Sequence, residues 1–169
     1  MMTRAIIKAQ YSDLPQISER YTEARAFMAQ NGNPDQWGRT GYPKAELLRQ
    51  DVASGRLFAV REGNDIIGAF VLVFGPDPTY AAIKDGAWPD DKPYGTLHRL
   101  CAATKAHGVA AFVLDFCEAE CKRRGADLRA DTHAANKPMQ HILEKAGFTR
   151  CGTIFVADGS PRIAYQKMI

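Results

Sequence analysis

The sequence predicts an α/β sandwich with a mixed sheet, in which strands alternate with helices. Three observations favour this fold class. Apolar residues recur at helical spacing over residues 17–28, which is typical of an amphipathic helix. A β-branched and apolar run over residues 66–74 is typical of a buried strand. Residues 94–133 have the pattern strand, helix, strand, which predicts two parallel strands joined by a right-handed crossover.

Turn and cap residues set the limits of the predicted elements. Ser12, followed by Pro15 in the first turn, starts the first helix, and Gly55 and Gly125 end two later ones. The strands are predicted over residues 5–9, 57–61, 66–74, 94–103, 126–133, 148–156 and 162–167. The helices are predicted over residues 12–31, 44–54, 108–124 and 136–146, with one further helical turn at 80–84.

Length and composition are typical of a single globular domain. The chain has 169 residues, of which 46% are hydrophobic and 24% charged, and this is sufficient for a buried core. The net charge is +3 and the basic residues are scattered, so a nucleic-acid-binding surface is not expected. No signal-peptide pattern is present, and no apolar run approaches the roughly 20 residues that span a bilayer. We expect one cytoplasmic domain over residues 1–169 without nucleic-acid or membrane partners.

The four cysteines predict neither a metal site nor a disulfide. None belongs to a CxxC motif, and no histidine lies at zinc-ligand spacing from two of them. Cys117 and Cys121 lie four residues apart on a predicted helix, as small core residues do. Cys101 and Cys151 could be nucleophiles in principle, but the sequence positions no histidine to activate either. We expect no metal.

Two segments in the second half of the chain have the pattern of an anion-binding site. Residues 105–110 read KAHGVA, follow an apolar run and open a long amphipathic helix. Residues 136–139 read NKPM and open a shorter helix that ends at the segment KAGF, residues 145–148. A glycine-bearing turn at a helix start presents unpaired backbone N–H groups at the positive end of the helix dipole. Such a turn can bind an anion such as a pyrophosphate.

These motifs and the order of the elements resemble the GNAT superfamily of N-acetyltransferases. The cofactor loop of that family reads Arg/Gln-x-x-Gly-x-Gly/Ala between the fourth strand and the third helix, and here it reads Lys105-x-x-Gly108-x-Ala110. Asn136, with the Gly-Phe pair that closes its helix, matches the second cofactor segment of the family. The resemblance covers residues 6–165 and implies a GNAT-like mixed, splayed sheet flanked by helices in a single domain.

The sequence departs from the family pattern at two positions. Lys105 replaces the usual Arg or Gln, but this loop acts mainly through backbone N–H groups, so binding should survive. Leu143 occupies the position where many members carry a tyrosine thought to protonate the leaving thiolate. The chain therefore lacks the usual acid, and either another group replaces it or the thiolate leaves with help from solvent.

The resemblance implies which residues bind acetyl-CoA as the acyl donor. The pantetheine arm would add like an extra strand where the strands around Cys101 and Asp131 splay apart. A backbone N–H of Cys101 or Ala102 would polarise the thioester carbonyl. Asn136 would hydrogen-bond the arm, a role compatible with that of a plain helix cap. The implied cofactor-binding residues are Cys101, Ala102, Lys105, Ala106, His107, Gly108, Val109, Ala110 and Asn136.

The implied reaction is direct transfer of the acetyl group from the thioester to a primary amine. A lysine-like amine, with a pKa of about 10.4, is mostly charged at neutral pH, so a base is useful. His98 is the first candidate because histidine titrates in the useful range, although a histidine without a catalytic part has the same pattern. Tyr165, on the last strand, is the candidate substitute acid, and His133 is interpreted as structural.

Aromatic residues in two loops are the candidate acceptor-binding residues. Loop aromatics mark binding surfaces more often than chance, and four of them suggest an aromatic-lined pocket, although each alone could be packing. They are Trp37, Tyr42, Tyr80 and Trp88.

The sequence is thus interpreted as an acetyl-CoA-dependent N-acetyltransferase whose acceptor is a primary amine of a small molecule or peptide. A non-catalytic acyl-CoA-binding regulatory module is the alternative, motivated by Leu143. A binder of another nucleotide phosphate is disfavoured because neither GxGxxG nor GxxxxGK[ST] occurs. The final hairpin and the neighbouring helix leave a homodimer open, and the sequence does not identify the acceptor.

Overall fold

A computed structural model describes residues 2–169. The strands are β1 (Arg4–Lys8), β2 (Leu57–Glu62), β3 (Asp65–Phe74), β4 (Tyr94–Ala102), β5 (Asp127–Thr132), β6 (Thr149–Phe155) and β7 (Pro161–Lys167). The α-helices are α1 (Leu14–Gln30), α2 (Ala45–Ala53), α3 (Val109–Arg124) and α4 (Lys137–Lys145). Short 3₁₀ helices lie at Tyr11–Asp13 and Pro78–Tyr80.

The strands form one mixed sheet in the order β1-β2-β3-β4-β5-β7-β6. Strands β4 and β5 are parallel and flank α3 in sequence, which confirms the predicted strand, helix, strand unit. The predicted hairpins are also present, because β2 pairs antiparallel with β3 and β6 pairs antiparallel with β7. The α/β class and the mixed sheet are therefore confirmed.

The chain divides into two compact units. The first consists of the stretch that ends at Leu72 together with Arg99–Val113. The second consists of Val73–His98 together with Leu114–Ile169. One boundary falls inside β4, between His98 and Arg99, so these two neighbours belong to different units. A single domain over residues 1–169 stays a prediction.

In the first unit, β3 closely approaches the start of α3. A Cβ on Gly68 of β3 would lie 2.8 Å from Val109 Cγ1 and 2.9 Å from the backbone oxygen of Cys101. Contacts this short require glycine at the position. Helix α1 buries one face in this unit, at the spacing predicted from the sequence. Its buried residues are Ile17, Tyr21, Ala24 and Met28.

In the second unit, the segment that follows β3 packs against β6. Tyr80 forms a core cluster with Ile154 and Ala164. Lys84 pairs with Thr153 as an isolated antiparallel bridge. The helical turn predicted over residues 80–84 is therefore wrong, because the bridge requires extended backbone at its end and the actual turn lies at Pro78–Tyr80.

Candidate functional site

The turn between β4 and α3 has the geometry that was predicted for anion binding. Gly108 has a φ of +71°, in the left-handed region that favours glycine. The space beside it is open, because the nearest atom to a Cβ built there is Arg4 Nη1 at 3.8 Å. The first backbone hydrogen bond of α3 runs from Phe112 N to Gly108 O at 3.1 Å. The N–H groups of Val109 and the next two residues precede that bond and point to the helix start.

Neighbouring side chains hold this turn in shape. Arg4 of β1 donates from Nη1 to the His107 backbone oxygen at 2.9 Å and is itself paired with Glu62. The Thr104 N–H donates to Glu23 Oε2 at 3.2 Å. With the His107 carbonyl held by Arg4, the N–H groups that follow remain available to an anion. Binding of a phosphate group at this turn stays a prediction.

Strand β4 extends beyond its last residue that pairs with β5. The parallel register runs from Tyr94 with Asp127 to Leu97 with Ala130 and stops there, while β4 continues to Ala102. The unpaired end of β4 is the segment beside which the pantetheine arm of the cofactor was predicted to add like an extra strand. The Cys101 side chain is buried, and burial raises the pKa of its thiol to about 12. Cys101 is therefore a protonated core residue at neutral pH rather than a nucleophile.

His98, the candidate base, is paired with a carboxylate that the sequence analysis did not single out. His98 Nε2 lies 3.0 Å from Asp77 Oδ2. The other oxygen of Asp77, Oδ1, accepts from the N–H and the hydroxyl of Thr79 at 2.8 and 2.7 Å. The hydrogen bond with His98, followed by those with Thr79, lowers the pKa of Asp77 to about 2 against the opposing effect of burial. Asp77 is therefore ionised at neutral pH and orients the imidazole.

A second carboxylate lies in the same group of side chains. The hydroxyl of Tyr80 donates to Asp131 Oδ1 at 2.6 Å, and the ring centroids of Tyr80 and His98 are 6.2 Å apart. Burial raises the pKa of Asp131 above its usual range and the pKa of Tyr80 well above 10. We call Asp77, Tyr80, His98 and Asp131 the histidine cluster.

The residue that follows His98 belongs to another network, in the first unit. Arg99 has a φ of +52°, which is uncommon for a residue with a side chain. Its guanidinium donates to the Tyr42 hydroxyl at 2.8 Å and to Asp51 Oδ2 at 2.5 Å. Its carbonyl accepts from the Tyr21 hydroxyl at 2.8 Å. Asp51 is fully buried and also pairs with Arg56 at 2.7 Å. We call Tyr21, Tyr42, Asp51, Arg56 and Arg99 the arginine cluster.

The residues expected to supply an acid and a cofactor contact lie around α4. Leu143 is fully buried. The hydroxyl of Tyr165 donates to Glu144 Oε1 at 3.1 Å, and burial raises the pKa of Tyr165 to about 12. The Asn136 side chain accepts from Met139 N at 3.1 Å. Asn136 is therefore the helix cap that the sequence predicted, and its contact with a cofactor stays a prediction.

The four candidate acceptor-binding aromatics are divided between the units and are more buried than loop residues usually are. Trp37 is 9% exposed and lies between Tyr21 and Tyr42, with ring centroids at 5.8 and 6.3 Å. Tyr80 is 2% exposed. Trp88 donates from Nε1 to the Tyr80 backbone oxygen at 2.9 Å. All four therefore have packing roles, and contact with an acceptor stays a prediction.

The roles of the carboxylates in the two clusters differ in how well the sequence predicts them. Asp77 stands before Pro-Thr, a pattern typical of a cap on a short helix, so its local role was accessible. The pairing of Asp51 with Arg99 and that of Asp131 with Tyr80 carry no local signal, because the partners lie 48 and 51 residues apart along the chain. Within residues 2–169, no three His, Cys, Asp or Glu side chains form a group suited to a metal ion. The same residues contain no helix long and apolar enough to cross a membrane.

Comparison with known proteins identifies the family. The sequence profile of the Acetyltransferase (GNAT) family matches residues 16–148. A GNAT-family acetyltransferase of Streptococcus agalactiae is 32% identical in sequence and superposes with a TM-score of 0.83, over 98% of this chain and 95% of that one. The chain therefore belongs to the GNAT acetyltransferase family, and the predicted resemblance and fold are confirmed.

More distant solved structures share the fold alone. A ribosomal-protein-alanine N-acetyltransferase of Brucella melitensis is 17% identical with a TM-score of 0.66, over 98% of this chain and 99% of that one. Arabidopsis thaliana Naa50, in complex with the bisubstrate analogue CoA-Ac-MVNAL, is 12% identical with a TM-score of 0.64, over the same shares of the two chains. No curated protein sequence matches the chain.

Proposed function

We propose that the protein binds acetyl-CoA and transfers the acetyl group directly to a primary amine of a small molecule or peptide. The observation that carries the proposal is the turn before α3, with left-handed Gly108, open space beside it and several helix-start N–H groups. Its position between β4 and α3 corresponds to the cofactor loop of the family pattern, which supports the proposal. The bisubstrate analogue bound to Naa50 joins CoA to a peptide, which supports a CoA thioester as donor on this fold.

The proposed donor site uses backbone groups more than side chains. Residues 106–110 would bind the pyrophosphate, because helix-start N–H groups and the helix dipole both favour an anion. Lys105, at the start of the loop, adds positive charge. The edge of β4 beyond Leu97, where the register with β5 has ended, would accept the pantetheine arm as an added strand. Cys101 and Ala102 supply backbone groups on this segment, and Asn136 stays a proposed contact.

His98 is the proposed base. Removing the proton from an amine with a pKa of about 10.4 requires about 4.6 kcal/mol at pH 7, so a local proton acceptor matters. An ionised carboxylate only accepts hydrogen bonds, so the His98 Nε2 that faces Asp77 carries the hydrogen. The neutral ring then has its lone pair on Nδ1, and Nδ1 is the atom that would take the proton of the amine.

Tyr165, the candidate acid, is proposed to have a smaller part than a tyrosine at position 143 would have. A thiol has a pKa of about 8.5, so a thiolate is a weak base that leaves readily without full protonation. The Tyr165 pKa of about 12 makes complete proton transfer from its hydroxyl unfavourable. That hydroxyl also donates to Glu144 already. Tyr165 would therefore do no more than hydrogen-bond the leaving sulfur.

The absence of a tyrosine at position 143 also favours a second candidate function. Leu143 is fully buried, so no polar group replaces the usual acid at that position. A non-catalytic acyl-CoA-binding regulatory module would keep the turn before α3 and lose turnover. Release of free CoA thiol from acetyl-CoA, measured with a panel of small amines and N-terminal peptides, separates the two. Thiol release well above the amine-free rate with any acceptor rules out the non-catalytic module.

Binding is tested by calorimetric titration of the full chain with acetyl-CoA, free CoA and ATP. We expect binding of both CoA species and not of ATP. Gly108→Trp should abolish it, because a side chain there is strained and fills the space that an anion needs. Gly32→Trp is the matched control, since Gly32 has a φ of +80° with nothing within 4 Å of a Cβ. Unchanged affinity in the Gly108 variant would contradict the proposed donor site.

The cytoplasmic location and the homodimer stay predictions.

A further inference from the structure

The backbone of β4 leaves the extended conformation at one residue. Arg99 has a φ of +52°, although it lies within a strand and carries a long side chain. Left-handed backbone is costly for such a residue and persists only where the surroundings impose it. It also lies just beyond Leu97, where the register of β4 with β5 ends. The unusual residue therefore lies in the segment proposed to bind the acyl donor, two residues before Cys101.

Three separate elements impose this conformation. Tyr21 of α1, which is 1% exposed, donates its hydroxyl to the Arg99 carbonyl at 2.8 Å. Asp51 of α2 accepts from the guanidinium at 2.5 Å, and Tyr42 of the loop before α2 accepts from it at 2.8 Å. The backbone and the side chain of Arg99 are thus held independently.

The arginine cluster is not arranged for stability alone. Arg99 Nε is buried, and among residues 2–169 it has no hydrogen-bond partner. A buried N–H without a partner lowers stability, as does a strained backbone. Strain of this kind collects at functional sites, where local geometry matters more than local stability. Two costly features therefore coincide at one residue of β4, and three side chains from other elements maintain them.

We propose that Tyr21, Tyr42 and Asp51 are positioning residues that hold Arg99 left-handed and thereby aim a following backbone N–H of β4 at the acyl carbonyl. A left-handed residue rotates the peptide groups that follow it, as a bulge does in a strand. The N–H groups of residues 100–102 then take directions that a regular strand would not give them. A fixed donor of this kind polarises a carbonyl without reorganising during the reaction. The inference rests on the proposed function, since it requires a bound thioester.

The test measures the bound carbonyl and needs no acceptor. Acetyl-CoA labelled with ¹³C at the acetyl carbonyl is added to the full chain, and isotope-edited infrared difference spectra give the carbonyl stretch. In the wild type we expect a lower frequency than for free acetyl-CoA. In Tyr21→Phe we expect less than about half of that lowering, with affinity for acetyl-CoA changed by less than about threefold. Tyr42→Phe, at a half-buried site, is the second variant if Tyr21→Phe does not fold.

Ile17→Val is the matched control, because Ile17 is fully buried on the same face of α1, one turn before Tyr21. It weakens the same packing without removing a hydrogen bond, so it should keep the full frequency lowering. Equal lowering in Tyr21→Phe and the wild type would overturn the proposal. Binding without any lowering in the wild type would overturn it too, while leaving the donor site intact. If the wild type does not bind acetyl-CoA, the proposed function itself has failed.

Discussion

The histidine cluster and the arginine cluster place neighbouring residues of β4 in opposite kinds of environment. The His98 side chain is 24% exposed and pairs with one carboxylate, that of Asp77. The Arg99 side chain is 11% exposed, lies against fully buried Asp51 and keeps its charge at every ordinary pH. The histidine of one cluster is partly open to solvent, whereas the arginine of the other is almost enclosed and paired with a buried carboxylate.

Adjacent residues of one strand can therefore differ in how tightly their side chains are held. Asp77 is itself held by Thr79, so it orients His98 without enclosing it. Asp51 accepts from both Arg56 and Arg99, which leaves neither charge unpaired. The largest effect of a substitution in the histidine cluster should therefore be on turnover, and the largest effect of one in the arginine cluster on stability and geometry.

The largest expected effect is that of His98→Ala on turnover. Without a proton acceptor for the amine, kcat at saturating substrates should fall by about 10²–10⁴. His141→Ala, at an exposed histidine of α4, is the control and should be neutral. Steady-state thiol release with the best amine of the panel is the measurement. A loss below about threefold would return His98 to a structural role.

Asp51→Asn should have the largest effect on stability. Removing one partner of a buried ion pair leaves uncompensated charge, here on Arg56 and Arg99, and we expect a loss of about 3 kcal/mol in the free energy of unfolding. Asp35→Asn, which breaks an exposed pair with Arg39, should lose less than about 1 kcal/mol. Urea unfolding at neutral pH measures both. Similar losses in the two variants would contradict the larger contribution to stability that the buried ion pairs of Asp51 are expected to make.

Asp77→Asn should remove a pH-dependent part of the stability. The Asp77 pKa is about 2 in the folded protein, against an ordinary value of 3.8 for the unfolded chain. Between these values the unfolded chain binds more protons, so the stabilisation by Asp77 is complete above about pH 5 and is lost as the pH falls towards 2. The gap in unfolding free energy between wild type and variant should therefore shrink from about pH 5 to about pH 2.5. If the difference in unfolding free energy between wild type and variant does not change with pH in this window, the lowered pKa of Asp77 is contradicted.

Tyr165→Phe should have the smallest effect. The hydroxyl already donates to Glu144, and a pKa of about 12 makes it a poor proton donor to a thiolate. We expect kcat to change by less than about threefold, measured under the same conditions as for His98→Ala. A loss of about tenfold or more would instead establish Tyr165 as the acid that replaces the tyrosine missing at position 143.

Most of the fold could be predicted from the sequence because its signals are local. Glycines after helices, the β-branched run of β3 and the strand, helix, strand pattern each depend on residues close along the chain. The turn near Tyr80 was predicted too late in the chain, because Lys84 is committed to a bridge with Thr153 and the turn ends before it. A contact with a residue so distant along the chain has no signal in the local sequence.

The candidate site divides in the same way. The turn at Gly108 was predictable, because a positive φ before a helix favours glycine in any context. His98 was predictable as a residue but not as a pair with Asp77, and the partnership of Asp51 with Arg99 was not predictable at all. Side-chain pairs that join different elements depend on the folded register. A single sequence does not contain that information in readable form.

The placement of the two tryptophans has a practical consequence for observing the molecule. Trp37 lies in the first unit beside Tyr21 and Tyr42, and Trp88 lies in the second, with the Arg129 guanidinium 3.9 Å from its ring. Trp37→Phe and Trp88→Phe would each leave a single indole, so that the emission of each variant reports on one unit. The chain thus carries a built-in optical label in each unit. Coincident unfolding curves from the two labels would mean that both units melt together, and separate midpoints would mean that each opens alone.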